Sequence, residues 1–276
     1  MIQYLYLGRV AYDEGLKLQA EIATLRLEGR VENVLLLLEH PTVLTLGRNA
    51  DRANVLASAE MLAQRGVTVH EINRGGDVTY HGPGQLVGYP IFDLRSLRNQ
   101  SGSRMGPVDF VRGMEEALIR VCLGFGVRAK RIPGLTGVWC DGLAHVGAQG
   151  PERKIGAIGI HVARGITSHG FAFNITTDLR DFGLIVPCGI PNHPVTSLEQ
   201  EAEHPEQLPS LEAIADQAAR QFGQVFDEQV LALQSLAALR TQAEAAGPTF
   251  PAEDTPLRVP PEVERLLNRK PPPVQG

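Results

Sequence analysis

The chain has 276 residues, 43% of them hydrophobic and 21% charged, with a formal net charge of −5. That size and composition suit a globular protein with a sizeable core, and the acidic balance argues against non-specific nucleic-acid binding, which needs an excess of cationic surface. Three cysteines without a CxxC spacing argue against a disulfide framework and fit a reducing, cytoplasmic compartment.

The first residues, MIQYLYLGRVAYDEG, have no basic segment and no long apolar run, so no signal peptide is expected. Residues 4–6 alternate like a short strand. Residues 11–29 space Leu16, Leu18, Ile22, Leu25 and Leu27 roughly as a helix, with Gly29 as its stop. The run VLLLLEHPTVLTL is too short and too broken for a membrane span. It divides into strands at 34–39 and 43–46. A short helix over 58–65 and a strand over 67–72 follow.

The glycine-dense stretch NRGGDVTYHGPGQLVGYP (73–90) is neither GxxxxGK[ST] nor GxGxxG, and it leads into a strand. It reads as a hairpin turning at HGPGQ. Its glycines would let the backbone approach a narrow ligand, with Arg74 and His81 to orient a polar end. Residues 108–125 form the clearest helix, with Val111, Met114, Leu118, Val121, Cys122 and Phe125 on one face. The runs LTGVWC, LAHVGA, RKIGAIGIHVA and ITSHGFAFNI (135–175) are separated by turn residues and predict antiparallel pairing. A second amphipathic helix covers 209–226. One α/β domain is placed at 1–235, and 236–276 is read as a proline-rich, partly disordered C-terminal extension with room for a short helix at 261–269.

Within LIVPCGIPNHPVTSL (184–198), Pro187 and Gly189 constrain the backbone on either side of Cys188. Such a turn suits a nucleophile presented beside a free N–H, that of Gly189 or a neighbour, and it suits a plain tight loop equally well. A free thiol titrates near about 8.5 and only the thiolate attacks well, so an activating group is required. His193, His81 or His169 would make a Cys–His pair. Lys154, the lysine that opens the apolar strand KIGAIGI, would make a Cys–Lys pair if it points inward, and merely reaches water if it does not. Cys122 and Cys140 read as core residues. The eight histidines show neither HExxH nor HxH, so no metal site is read.

Taken together, RGGDVTYHGPGQLVGYP, GLTGVW (134–139), KIGAIGIHV (154–162), SHGFAFN (168–174) and IVPCGI…VTSL (185–198) resemble, block by block and in order, the lipoyl(octanoyl) transferases. The resemblance spans residues 2–226. It implies the biotin/lipoate protein ligase-like fold, an α/β (α+β type) architecture with a mixed, largely antiparallel sheet flanked by helices. It implies an octanoyl group taken from octanoyl-acyl carrier protein and placed on a lysine of apo lipoyl domains, those of 2-oxoacid dehydrogenase complexes and of the glycine cleavage H protein. By resemblance Cys188 is the acyl-thioester nucleophile and Lys154 its proton-shuttling partner. Substrate contacts carry over to Arg74, Gly75, Gly76, Asp77, Val78, Thr79, Tyr80 and His81, to Ala157, Ile158 and Gly159, and to Gly170, Phe171 and Ala172. Glycines 75, 76, 156, 159 and 170 would leave a slot for an unbranched chain.

No cofactor is implied. The donor is already a thioester, and its transfer to an amine is downhill, so no ATP site is needed. Both carriers are expected to be acidic, and Arg48, Arg128, Lys130, Arg131, Arg153 and Arg164 are candidates for a docking patch. Two rivals remain open on the sequence: an ATP-dependent lipoate or biotin protein ligase on the same fold, and a silent binder of lipoyl domains or acyl carrier protein.

Overall fold

A strand that is apolar at nearly every position fits one covered on both faces. In the computed structural model, which describes residues 1–99, 101–141, 150–190 and 193–247, the run after Glu32 is such a strand. Leu35 and Leu37 enter one hydrophobic cluster, while Val34, Leu36 and Leu38 enter another on the opposite face, as period-two alternation requires.

The chain order explains the layers. Strand β1 (Ile2–Arg9) leads through helix α1 (Tyr12–Leu27) into β2 (Asn33–Glu39), β3 (Val43–Leu46), α2 (Ala59–Gln64), β4 (Thr68–Glu71), β5 (Val78–His81) and β6 (Gln85–Ile91). Helix α3 (Pro107–Gly124), β7 (Ala129–Ile132), β8 (Leu135–Cys140), β9 (Arg153–Ala163), β10 (Ile166–Asn174), α4 (Leu198–Glu201), α5 (Leu211–Phe226), β11 (Val230–Ala232) and α6 (Leu236–Ala246) follow. The large sheet runs β11-β1-β2-β6-β10-β9-β8-β7, and a small one runs β4-β3-β5. In the large sheet β1 is parallel to β2 and β11, and every other pairing is antiparallel. The expected mixed, largely antiparallel sheet is therefore the one observed.

Phe110, Met114 and Leu118 of α3 and Ile214 and Phe222 of α5 cover one face, with Leu37, Leu86 and Phe173 beneath them. Leu18 and Ile22 of α1 cover the other, joined by Leu239 and Ala243 of α6. Helix α6 lies beyond residue 235, in the stretch read from sequence as an extension. Its buried Leu239 and Ala243, the Arg240–Glu21 ion pair and the Gln3–Gln242 hydrogen bond dock it on the sheet. Residues 248–276, with the short helix expected at 261–269, lie outside the described residues. Among the described residues no helix is long and apolar enough to cross a membrane.

The glycine-dense stretch differs from the expected hairpin. β5 pairs with β3 in the small sheet, whereas β6 pairs with β2 and β10 in the large one. The turn between them cannot fold β6 back onto β5 because other groups hold it. Gly84 donates to Glu39 Oε2 at 2.6 Å, and its carbonyl accepts the N–H groups of Ile175 and Thr176. HGPGQ thus carries the chain from one sheet to the other.

Candidate active site

The Cys188 turn is strained in a specific way. Cys188 has φ 56° and ψ 18°, and Gly189 follows with φ 67°. A non-glycine residue in the left-handed region is disfavoured by about 1–2 kcal/mol and persists only where its surroundings enforce it. Here Val186 N–H donates to Asn54 O at 2.7 Å, and Gly189 and Ile190 donate back to Val186 and Pro187. A side chain at Gly189 would meet Asp77 Oδ2 at 2.4 Å, so glycine is required by space as well as by φ. Asp77 is itself fixed. It accepts from Asn54 Nδ2 at 2.5 Å, Val78 N at 2.7 Å and Asp51 N at 3.1 Å. Asp77 therefore buttresses the loop that carries the thiol. The Gly189 N–H, read from sequence as a donor to a developing oxyanion, is already given to Val186 O at 3.0 Å.

Lys154 is held by the far end of the same loop. Its N–H donates to Pro194 O at 2.8 Å, and its carbonyl accepts from Thr196 N at 2.9 Å. A β-bulge then sets its direction. Val138 pairs with Gly156 and Trp139 with Lys154, so Ile155 is an extra residue on β9. Ile155 lies in the core, and a side chain at Gly156 would likewise face Leu118, Val138 and Phe173. Two successive residues thus face the helices. Lys154 and Ala157, three apart, both line the cavity on the other side.

Lys154 is 6% exposed, which decides against the reading that it simply reaches water. Its Nζ lies 4.6 Å from the centroid of the Trp139 ring, and among the described residues it makes no ion pair. Cys188 and Lys154 line one cavity of about 200 Å³. Among the described residues no hydrogen bond joins Sγ to Nζ.

Walls of this cavity come from both sheets. Arg74, Gly76, Asp77, Thr79 and His81 line it from the small-sheet side, and Ala157, Ile158, Gly159, Gly170, Phe171 and Ala172 from β9 and β10. Three residues of the carried-over set sit elsewhere. Val78 and Tyr80 alternate to the opposite face of β5 and pack in a third cluster with Leu46 and Phe182. Gly75 donates its N–H to Ile160 O at 3.0 Å, tying the motif to β9. Tyr12, Tyr89, Gly134, Leu135, Thr136, His169 and Ile190 also line the cavity. Nothing in the local sequence marks Tyr12 or Tyr89 as lining residues, since topology alone brings α1 and β6 to this end.

A family model described as the lipoyl protein ligase A/B catalytic domain matches residues 11–223. The octanoyltransferase of Acidobacterium capsulatum is 59% identical over 237 residues, covering 85% of this chain and 94% of that relative. The octanoyltransferase of Koribacter versatilis is 49% identical over 266 residues, covering 96% and 97%. The chain belongs to the octanoyltransferase family. A bipartite lipoate protein ligase from Thermoplasma acidophilum shares the fold at 17% identity and a TM-score of 0.63, covering 89% of this chain and 91% of that one. A lipoate-protein ligase A bound with ATP does so at 15% identity and a TM-score of 0.60, covering 89% and 94%.

Charge in the enzyme's cavity is lopsided. Arg74 is 8% exposed, and among the described residues its guanidinium meets neutral acceptors: Thr45 O at 2.7 Å, Thr45 Oγ1 at 2.9 Å and Gly75 O at 3.0 Å. Burial lowers its pKa, and the nearby Cys188 thiolate would act the other way. Burial favours the neutral form of the two cavity histidines, His81 and His169. Gln85 Nε2 serves two carbonyls, so its Oε1 must accept from His81 Nδ1 at 2.8 Å, which fixes that tautomer. Burial pulls His81 down to about 3 and His169 down to about 4. His193 meets Glu152 O at 3.3 Å and the edge of Trp139. Among the described residues none of the three hydrogen-bonds the Cys188 sulfur, and of the three only His81 and His169 line its cavity. Cys122 and Cys140 are buried, and burial raises the pKa of both, Cys140 to about 12.

The expected glycine slot is corrected in part. A Cβ at Gly159 would strike Gly75 O at 2.5 Å, and one at Gly170 would strike Gly88 O at 2.1 Å. These two glycines allow backbone segments to approach one another. Gly156 faces the core, as described.

Proposed function

We propose that the enzyme moves an octanoyl group from the thioester of octanoyl-acyl carrier protein to a lysine of a lipoyl domain, through a thioester on Cys188. One observation carries this reading. The single cysteine that is not buried sits in an enforced left-handed turn, on a cavity shared with a buried lysine that makes no ion pair among the described residues.

Lys154 in its neutral form takes the Cys188 proton. The thiolate adds to the thioester carbonyl, the bond to the carrier's thiol breaks, and the Lys154 ammonium protonates the departing sulfur. The acceptor's amine then adds to the acyl-enzyme, Lys154 takes its proton, and the Cys188 sulfur leaves. One group thus alternates as base and acid, and the covalent intermediate lets two bulky carriers use one site in turn. The Arg74 charge in the wall adds positive potential where thiolate and oxyanion form. Leu135, Ile158, Phe171 and Ile190 supply apolar surface for the chain. Each buried methylene gains about 0.8 kcal/mol, so a chain two carbons shorter binds roughly tenfold more weakly.

Docking cations are fewer than the sequence suggests. Lys130 pairs with Asp141 and Glu152, Arg131 with Glu115 and Glu116, and Arg153 with Glu201. Arg48, Arg128 and Arg164 are exposed and make no ion pair among the described residues. The Arg48 N–H bonds Arg74 O at 3.0 Å, which places it beside the cavity.

Initial rates with both carriers, measured without ATP, test the proposal. Parallel double-reciprocal lines, abolished in Cys188→Ser, are expected. A nucleotide requirement, or turnover that survives Cys188→Ser, would favour the ligase reading instead.

A further inference from the structure

Glu115 lies on the sheet-facing side of α3, and its side chain is 0% exposed. A carboxylate so buried needs partners for both oxygens. Oε2 accepts from Arg112 Nη1 at 2.6 Å and from Arg131 Nε at 3.1 Å. Oε1 accepts the backbone N–H of Gly137 at 3.0 Å. That last bond is unusual for a residue inside a strand. The β8–β9 ladder begins only at Val138, so the Gly137 N–H leaves the sheet and is met by a helix side chain.

Gly137 in turn faces Lys154 with the side of its backbone that lacks a Cβ. Its φ is 126°, a conformation for glycine, and a side chain there would meet Gly156 O at 2.6 Å, Lys154 Cε at 3.2 Å and Lys154 Nζ at 3.6 Å. The absence of a side chain at Gly137 therefore leaves the space that the Lys154 side chain needs, so a shift of the Gly137 backbone would intrude on it, and the Trp139 ring bounds Lys154 as well. From this chain of contacts we infer that Glu115 is a positioning residue for Lys154, acting through Gly137, an inference that rests on the Cys188–Lys154 reading. Without the carboxylate the buried Gly137 N–H loses its acceptor, and that backbone is free to move toward another one. A displacement on the order of 1 Å at a catalytic group can cost about a hundredfold in rate.

The test is alkylation of Cys188 by iodoacetamide as a function of pH, read by intact-protein mass spectrometry. It reports the thiolate without needing turnover. It is applied to the wild type, Glu115→Gln, Lys154→Ala and the double variant. Glu115→Gln keeps the volume; the two guanidinium groups claim its one amide oxygen, so its NH2 is left facing the Gly137 N–H, which then has no acceptor. Lys154→Ala is expected to slow alkylation and move its profile to higher pH. Glu115→Gln should do the same to a lesser extent, by about tenfold near neutrality, and should add nothing in the Lys154→Ala background. A Glu115→Gln profile that coincides with the wild type, or a slowing repeated in full without Lys154, overturns the inference. If Lys154→Ala itself matches the wild type, the Cys188–Lys154 reading fails and takes this inference with it. Because Cys122 and Cys140 are buried, unfolded molecules take three adducts and are counted separately. Should Glu115→Gln not fold, Glu115→Asp, which keeps the charge but shortens the reach to the Gly137 N–H, gives the same comparison.

Discussion

Replacing Lys154 by methionine should make the protein more stable and far less active. Methionine nearly matches the lysine in length and fits the same space beside Gly137 and Trp139. The lysine's only described compensation is the cation–π contact at 4.6 Å, worth about 1 kcal/mol for a half-desolvated cation. Removing a charge from water costs several kcal/mol, offset here in part by the open cavity. The net gain for Lys154→Met is about 1–2 kcal/mol, or a rise in Tm of roughly 2–8 °C for a chain of this size. Activity moves the other way. A positioned acid–base group contributes about 10²–10⁴ in rate, equivalent to roughly 3–5 kcal/mol of barrier. Urea unfolding and single-turnover acyl transfer on the same preparation give both numbers. A variant that is less stable by more than about 2 kcal/mol yet turns over within about tenfold of the wild type would refute the reasoning, because Lys154 would then be structural.

Gly170→Ala places a methyl 2.1 Å from Gly88 O and 2.5 Å from Pro90 Cδ, so a loss of about 1–3 kcal/mol or more is expected in denaturant unfolding. Arg48→Glu should raise KM for both carriers several-fold with little change in kcat, and the difference should shrink as salt screens the charge; salt-independent KM values would count against docking there. Acid should destabilise the fold through buried neutral histidines. His40 and His169 fall to about 4 and His81 to about 3, from 6.5. Above the unfolded value neither state binds the proton. As pH falls through 6.5 the unfolded chain gains protons that the native state refuses, so stability drops by on the order of a few kcal/mol towards the folded values. Urea midpoints that stay flat from neutrality down to this acid range would contradict it.

Much of the fold is legible because its signals are local. The unbroken apolar run 34–38 announces a strand buried on both faces, and the spacing of Met114, Leu118, Val121 and Cys122 announces α3. Lys154 opening an apolar strand is the one clue to an inward cation. What escapes the sequence depends on partners distant in the chain. HGPGQ has hairpin chemistry, yet bonds from Glu39, Ile175 and Thr176 send it between sheets. The bulge at Ile155 is set by register with β8, and no residue type marks it. Glycines 159 and 170 read as a substrate slot because glycine in a strand signals close approach without saying to what; here it is backbone. Three apparently free cations are neutralised by acids far away in sequence or across a turn.

The central claim is that Cys188 carries the acyl group. Intact-protein mass spectrometry after incubation with octanoyl-acyl carrier protein, without ATP, addresses it directly. The account predicts one octanoyl adduct on the wild type, absent from Cys188→Ser and discharged on adding an apo lipoyl domain. An enzyme that octanoylates its acceptor under these conditions without ever showing the adduct, or whose adduct survives Cys188→Ser, would contradict it.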